Sequence, residues 1–173
     1  HPAVIRNKRV QAVVLATTLL GGFFGSIAIV TVAFTEQRGQ ESKSGLLLAI
    51  WAFGSGIAAI INGTIKWKLS SASRFLIFLF ALTALSVPML FTHTLGWLAV
   101  ALFFNGFAVA PLVINAYGVA EGAVPPDQIT ETLTWVVAGM PMGGAIASAL
   151  SGQIIDRFGS DIAYWVPLGF MIA

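Results

Sequence analysis

Long apolar runs, broken by short polar patches, organise this chain. Runs of about 18 or more apolar residues are long enough to cross a ~30 Å hydrocarbon core as helices. They predict five full spans, at residues 10–34, 44–65, 75–91, 97–120 and 130–155, and a sixth starting near residue 162. The sixth has about 12 residues before the chain stops, roughly 18 Å of helix, so it is expected to be cut before it crosses. With His1-Pro2 at the start and no leader pattern before the first span, both ends are expected to be fragment boundaries. The predicted class is an all-α, polytopic membrane protein.

Composition agrees with this pattern. Hydrophobic residues make up 57% of the chain and charged residues only 9%, against about 25% in soluble proteins, too few to coat a water-exposed surface. The net charge of +2 and pI near 9.3 do not point to nucleic acid, because the basic residues flank the spans with no aromatic stacking platform beside them. There is no cysteine, and the two histidines, His1 and His93, are not at a ligand spacing, so neither a metal nor a cofactor is expected. Arg6, Lys8, Arg9, Lys66, Lys68 and Arg74 fall on one side of the predicted topology and Arg38, Lys43 and Arg157 on the other. The N-terminal side is therefore expected to be cytoplasmic, in a cell membrane.

An internal repeat gives the strongest pointer to function. Residues 54–70 (GSGIAAIINGTIKWKLS) align with residues 143–159 (GGAIASALSGQIIDRFG). Gly54 matches Gly143, Ile57 Ile146, Ala58 Ala147, Gly63 Gly152 and Ile65 Ile154, while Lys68 and Arg157 share a slot. The second and fifth spans cross in opposite directions, so the first three spans are expected to form an inverted repeat with the last three. Repeated helix groups facing each other suit a transporter, whose site opens alternately to either side.

The runs AVPPDQITETLTWVVAGMPMGGAIASALSGQIIDRFG and SGLLLAIWAFGSGIAAIINGTIKWK resemble the C-terminal half of major facilitator superfamily transporters, in particular bacterial drug and small-solute exporters of the inner membrane. In that family a G-x-x-x-D-R-x-G-type turn joins two helices; Gly152, Asp156, Arg157 and Gly159 fit it, and the copy at Gly63 and Lys68 is degenerate, with Trp67 and Ser70 where the acid and glycine belong. The resemblance implies half of a secondary active transporter that moves a small solute, of drug-like or amphipathic kind, by alternating access and is not competent alone. Its partner would be the N-terminal half of the same transporter or a second copy of the fragment, in a lipid bilayer. Helices at the first and fourth positions line the cavity in that family. Thr17, Phe24 and Thr31 share one face of the first span, and Asn105 and Asn115 a broad face of the fourth, so they are expected to face the cavity or to bond neighbouring helices.

In the fifth span Gly144, Ser148 and Gly152 recur every fourth residue with Gly139 and Gly143 alongside, a spacing that lets helix backbones approach closely. Pro88, Pro111 and Pro141 are expected to kink the third, fourth and fifth spans. No acid sits mid-span; Glu131, at a span end, is the candidate coupling residue. A six-helix channel or structural subunit is the alternative, though no filter-like loop is visible. An intramembrane serine protease would need a general base near Ser26 or Ser55, and none is placed there, so an enzyme is not expected.

Overall fold

The computed structural model describes residues 4–172; His1 and Ala173, on which the expected chain ends rest, lie outside them. The helices are α1 (Lys8–Glu36), α2 (Ser44–Thr64), α3 (Ser71–Ser86), α4 (Leu95–Glu121), α5 (Ile129–Phe158), α6 (Ser160–Ala163) and α7 (Trp165–Ile172). Among the described residues there is no strand, and α1 to α5 are long and apolar enough to cross a membrane.

Side-chain caps set several helix starts. Asn7 accepts from the Arg9 amide ahead of α1, Ser70 from Ser73 ahead of α3, and Thr94 from Trp97 ahead of α4, each satisfying one of the donors a helix start leaves open. Gly159 ends α5 at φ +84°, a backbone state that glycine enters without strain, and α6 begins directly behind it.

Two expectations change here. The third span is not one α-helix through residue 91: α3 stops at Ser86, and Pro88 opens a 3-10 turn, Val87–Phe91. Proline has no N–H to continue the α ladder, so Pro88 marks a change of helix type rather than a kink within α3. The two copies of the charged turn also differ. Asp156 and Arg157 belong to the last helical turn of α5, whereas α2 ends at Thr64 and the chain through Lys66 and Lys68 is a loop.

Helices α1 and α4 form the centre. Half of the membrane-length window of α1 and 44% of that of α4 are buried, against 17% to 22% for α2, α3 and α5. The dominant packing pairs are α1 with α5 and α2 with α4, followed by α3 with α4 and α1 with α7. Exchanging the first three spans with the last three maps each of these pairs onto another.

The exchange holds residue by residue. Shifted by 89, the buried residues of α2 (Leu47, Gly54, Ala58, Asn62) become Val136, Gly143, Ala147 and Ser151, all buried on α5. Shifted by 85, ten of the fourteen buried residues of α1 fall on buried residues of α4, and of the buried α4 residues only Ala101 lacks a match. Consecutive spans alternate in direction, so α1 and α4, like α2 and α5, run oppositely and the repeat is inverted.

Candidate functional site

Glycines make the contacts that hold the two main helix pairs. A Cβ on Gly143 would overlap the Thr18 carbonyl oxygen, and one on Gly21 the Met140 carbonyl oxygen, across α1 and α5. Across α2 and α4, a Cβ on Gly54 would overlap the carbonyl oxygen of Phe103, and one on Gly106 that of Trp51. These four contacts are exact counterparts under the shifts of 85 and 89. Backbone meets backbone at both seams, which only residues without a side chain permit.

The other small residues of α5 have different surroundings. Gly139 is buried against Thr17, Thr18 and Val14; Gly144 lies against Gly21 and Gly25 with ordinary room for a methyl group, its added Cβ 3.6 Å from the Gly21 oxygen. Ser148 is half-buried and donates to the Gly144 carbonyl of its own helix at 2.8 Å. Gly152, expected at a helix contact, has nothing within 4 Å of an added Cβ; it is half-buried and lines a cleft beside Ala28, Ile29 and Val32 of α1.

The polar residues, expected either to face a cavity or to bond neighbouring helices, sit inside the bundle. Thr17 is fully buried against Gly139, its hydroxyl donating to the Val14 carbonyl at 3.0 Å. Thr31 is fully buried and shares a 3.3 Å hydrogen bond with the Tyr164 hydroxyl. Asn105 is the junction of three helices: its Oδ1 accepts from Trp51 Nε1 of α2 at 3.0 Å, and its Nδ2 donates to Ser86 Oγ of α3 at 3.0 Å. Asn115 is buried, with Nδ2 donating to the Pro111 carbonyl at 2.7 Å and Oδ1 unpaired. The arrangement has a plain cause: apolar lipid satisfies no polar group, so these side chains turn inward, Thr17 and Asn115 to carbonyls of their own helices and Thr31 and Asn105 to side chains of others. Phe24 alone is half-buried, edge-on to Phe23 and Trp51.

On α4, Phe104 is exposed and Phe103 half-buried, and both join Phe107 in a cluster. Glu131 is exposed in the first turn of α5, where the helix dipole favours a carboxylate. Asp156 and Arg157 are both exposed at the other end of that helix. Pro111 and Pro141 lie within α4 and α5 without ending either helix.

Sequence reasoning missed two pairs of features that the repeat relates. Asn62 Oδ1 and Ser151 Oγ, at equivalent positions, are both buried without a hydrogen-bond partner. Two clefts are equivalent as well. One of about 300 Å³ lies between α2, α3 and α4 and includes Ile61 and Ile65; the other, of about 540 Å³, lies between α1, α5 and α7 and includes their counterparts Leu150 and Ile154. The identity of Ile65 and Ile154 was the available signal for the clefts.

Residues 12–173 match the model of the Major Facilitator Superfamily, nearly the whole chain. The chain belongs to the Major Facilitator Superfamily. It is thus a membrane protein of a transporter family, and its all-helical bundle with an internal inverted repeat is the architecture of a superfamily half-bundle. Searches among curated proteins and among solved structures each gave no match. Among the described residues there is no group of metal-ligating side chains. Within a superfamily transporter, the glycine seams, the buried Asn105 junction and the two clefts are features of one half; their placement leaves the outer faces of α2 and α5 for contact with something else.

Proposed function

We propose that the chain forms one six-helix half of a secondary transporter that exports a small, drug-like or amphipathic solute by alternating access, its N-terminal side in the cytoplasm. The partner is a second half-bundle, from the same transporter or from a second copy. The observation that supports this reading is an open stripe of small residues on each of two equivalent helices. On α2, Gly45, Ala49, Ala52, Gly56 and Gly63 are exposed; on α5 their counterparts Thr134, Ala138, Pro141 and Ala145 are exposed and Gly152 is half-exposed. Added Cβ atoms on Gly45, Gly56, Gly63 and Gly152 would meet nothing within 4 Å.

A glycine inside a helix costs about 1 kcal/mol relative to alanine, so Gly56 and Gly152, inside their helices with open space at the Cβ position, favour close approach by another bundle. Thr17 and Asn105, by contrast, are buried within the half. Arg6, Lys66, Lys68 and Arg74 on the N-terminal side support the orientation.

This chain has no cysteine, so thiols introduced into it can carry a photocrosslinker at one chosen position. In the complete transporter, Gly56→Cys and Ala145→Cys should crosslink to the other half, and crosslinking should stop a flux that saturates with solute. Phe80→Cys, on exposed α3, should neither crosslink nor stop it. Flux that never saturates, or crosslinking through Phe80→Cys alone, overturns the reading.

A further inference from the structure

We propose that the α2–α3 connection and the cleft beside it bind one anionic phospholipid, with the phosphate on Lys66, Lys68 and Arg74 and an acyl chain between α2, α3 and α4. Charge supplies the first part of the case. Between Glu41 and Glu121 the sequence has no acidic residue, and all three of these cations sit at one end of α2 and α3. Lys66 and Lys68 are exposed in the loop. Arg74 is half-buried: one terminal nitrogen donates to Ser71 Oγ at 3.3 Å, and its Nε is buried with no partner. A guanidinium held this way keeps donors for an anion, and basic residues beside a span attract anionic lipid.

The cleft supplies the second part. It is lined almost entirely by apolar side chains, among them Ile61, Ile65, Phe78, Ala81 and Leu85. Its volume of about 300 Å³ holds on the order of ten methylene-sized groups at roughly 30 Å³ each. Trp67 links cleft and charge. Its Nε1 donates to the Asn62 carbonyl at 3.2 Å, its ring stands edge-on to Phe78 with centroids 6.0 Å apart, and the Arg74 guanidinium carbon lies 5.7 Å from its centroid. Asn62, 92% buried, also lines the cleft. A phosphatidylglycerol offers what the two parts of the site call for, an anionic phosphate and an apolar tail.

The inverted repeat provides an internal control. The equivalent cleft between α1, α5 and α7 is larger and equally apolar, but the connection beside it carries Asp156, Arg157 and Asp161 in sequence, with acid in excess. Apolar shape is common to both ends of the repeat; the basic cluster belongs to one. The inference needs a membrane location and not the transport reading, so a failed flux assay leaves it standing.

The test is lipid retention by the full chain in detergent, measured by native mass spectrometry with dioleoyl phosphatidylglycerol or dioleoyl phosphatidylcholine. One phosphatidylglycerol should be retained at least ~10-fold more tightly than phosphatidylcholine, and each of Lys66→Gln, Lys68→Gln and Arg74→Gln should weaken it by about 5-fold. Arg157→Gln should change nothing. Ala81→Phe should lower retention by filling the cleft with the charges intact; if that variant does not fold, chain-brominated phosphatidylglycerol should quench the wild type more than Trp67→Phe. Equal retention of the two lipids, an equal loss with Arg157→Gln, displacement by inorganic phosphate, or a folded Ala81→Phe variant that retains lipid like the wild type would overturn the site.

Discussion

Gly143→Ala is the sharpest probe of the α1–α5 seam. The added Cβ would overlap the Thr18 carbonyl oxygen and lie 2.7 Å from its carbon and 2.8 Å from the Gly22 nitrogen. Carbon contacts are most favourable near 3.5–4.0 Å, so α1 and α5 would have to part by about 1 Å, and a gap of that size forfeits a quarter to a half of each neighbouring dispersion contact. Overpacking of a rigid contact costs about 3 kcal/mol; the better helix propensity of alanine returns about 1, leaving a loss of about 2 kcal/mol. Gly152→Ala is the matched control, because its Cβ meets nothing within 4 Å and it should gain up to ~1 kcal/mol. At about 2–4 °C per kcal/mol, thermal unfolding of the full chain in detergent should place Gly143→Ala roughly 6–12 °C below Gly152→Ala. Equal midpoints, or a higher one for Gly143→Ala, would refute the backbone-contact argument.

The second seam should respond alike: Gly54→Ala and Gly106→Ala, which drive a Cβ onto the Phe103 and Trp51 carbonyls, are expected to lower the midpoint as much as Gly143→Ala, whereas Gly144→Ala is tolerated. Asn105→Leu removes the acceptor of Trp51 Nε1 and the donor to Ser86, and should destabilise by about 1 kcal/mol in the same assay, against no change for the exposed Thr134→Ala. Ser151→Ala should be neutral or stabilising by up to ~1 kcal/mol, since it deletes a buried hydroxyl that has no partner; a clear drop in midpoint would show that Ser151 is paired in the membrane.

The spans were legible because continuous apolar runs need no periodicity to be seen, and their ends were missed by a few residues where charged ones such as Lys8, Arg9 and Arg157 carry on the helix. The repeat was legible only where α2 and α5 share five identities. Between α1 and α4, matches such as Gly21 with Gly106 and Glu36 with Glu121 are too sparse to stand out, and the shared feature is geometric: each glycine meets a carbonyl oxygen of a partner helix. The α3 end was misjudged because an apolar run continues through Pro88 while the α ladder cannot.

The polar residues show what a membrane chain conceals. In a soluble helix the apolar stripe tells which face is inward, but here both faces are apolar and only a few polar side chains break the tie. They do point inward, as Thr17, Thr31 and Asn105 show. Inward has two meanings in a bundle that meets another bundle, and a hydroxyl or amide satisfies either by the same hydrogen bonds. Glycine separates them where polarity does not. Gly21, Gly54, Gly106 and Gly143 are explained by a backbone they touch within this half, while Gly56 and Gly152 have open space at the Cβ position, and under the proposed pairing their helix cost is recovered at a contact beyond it. The inner set therefore governs stability within this bundle, and the proposed association with a second half rests on the outer set.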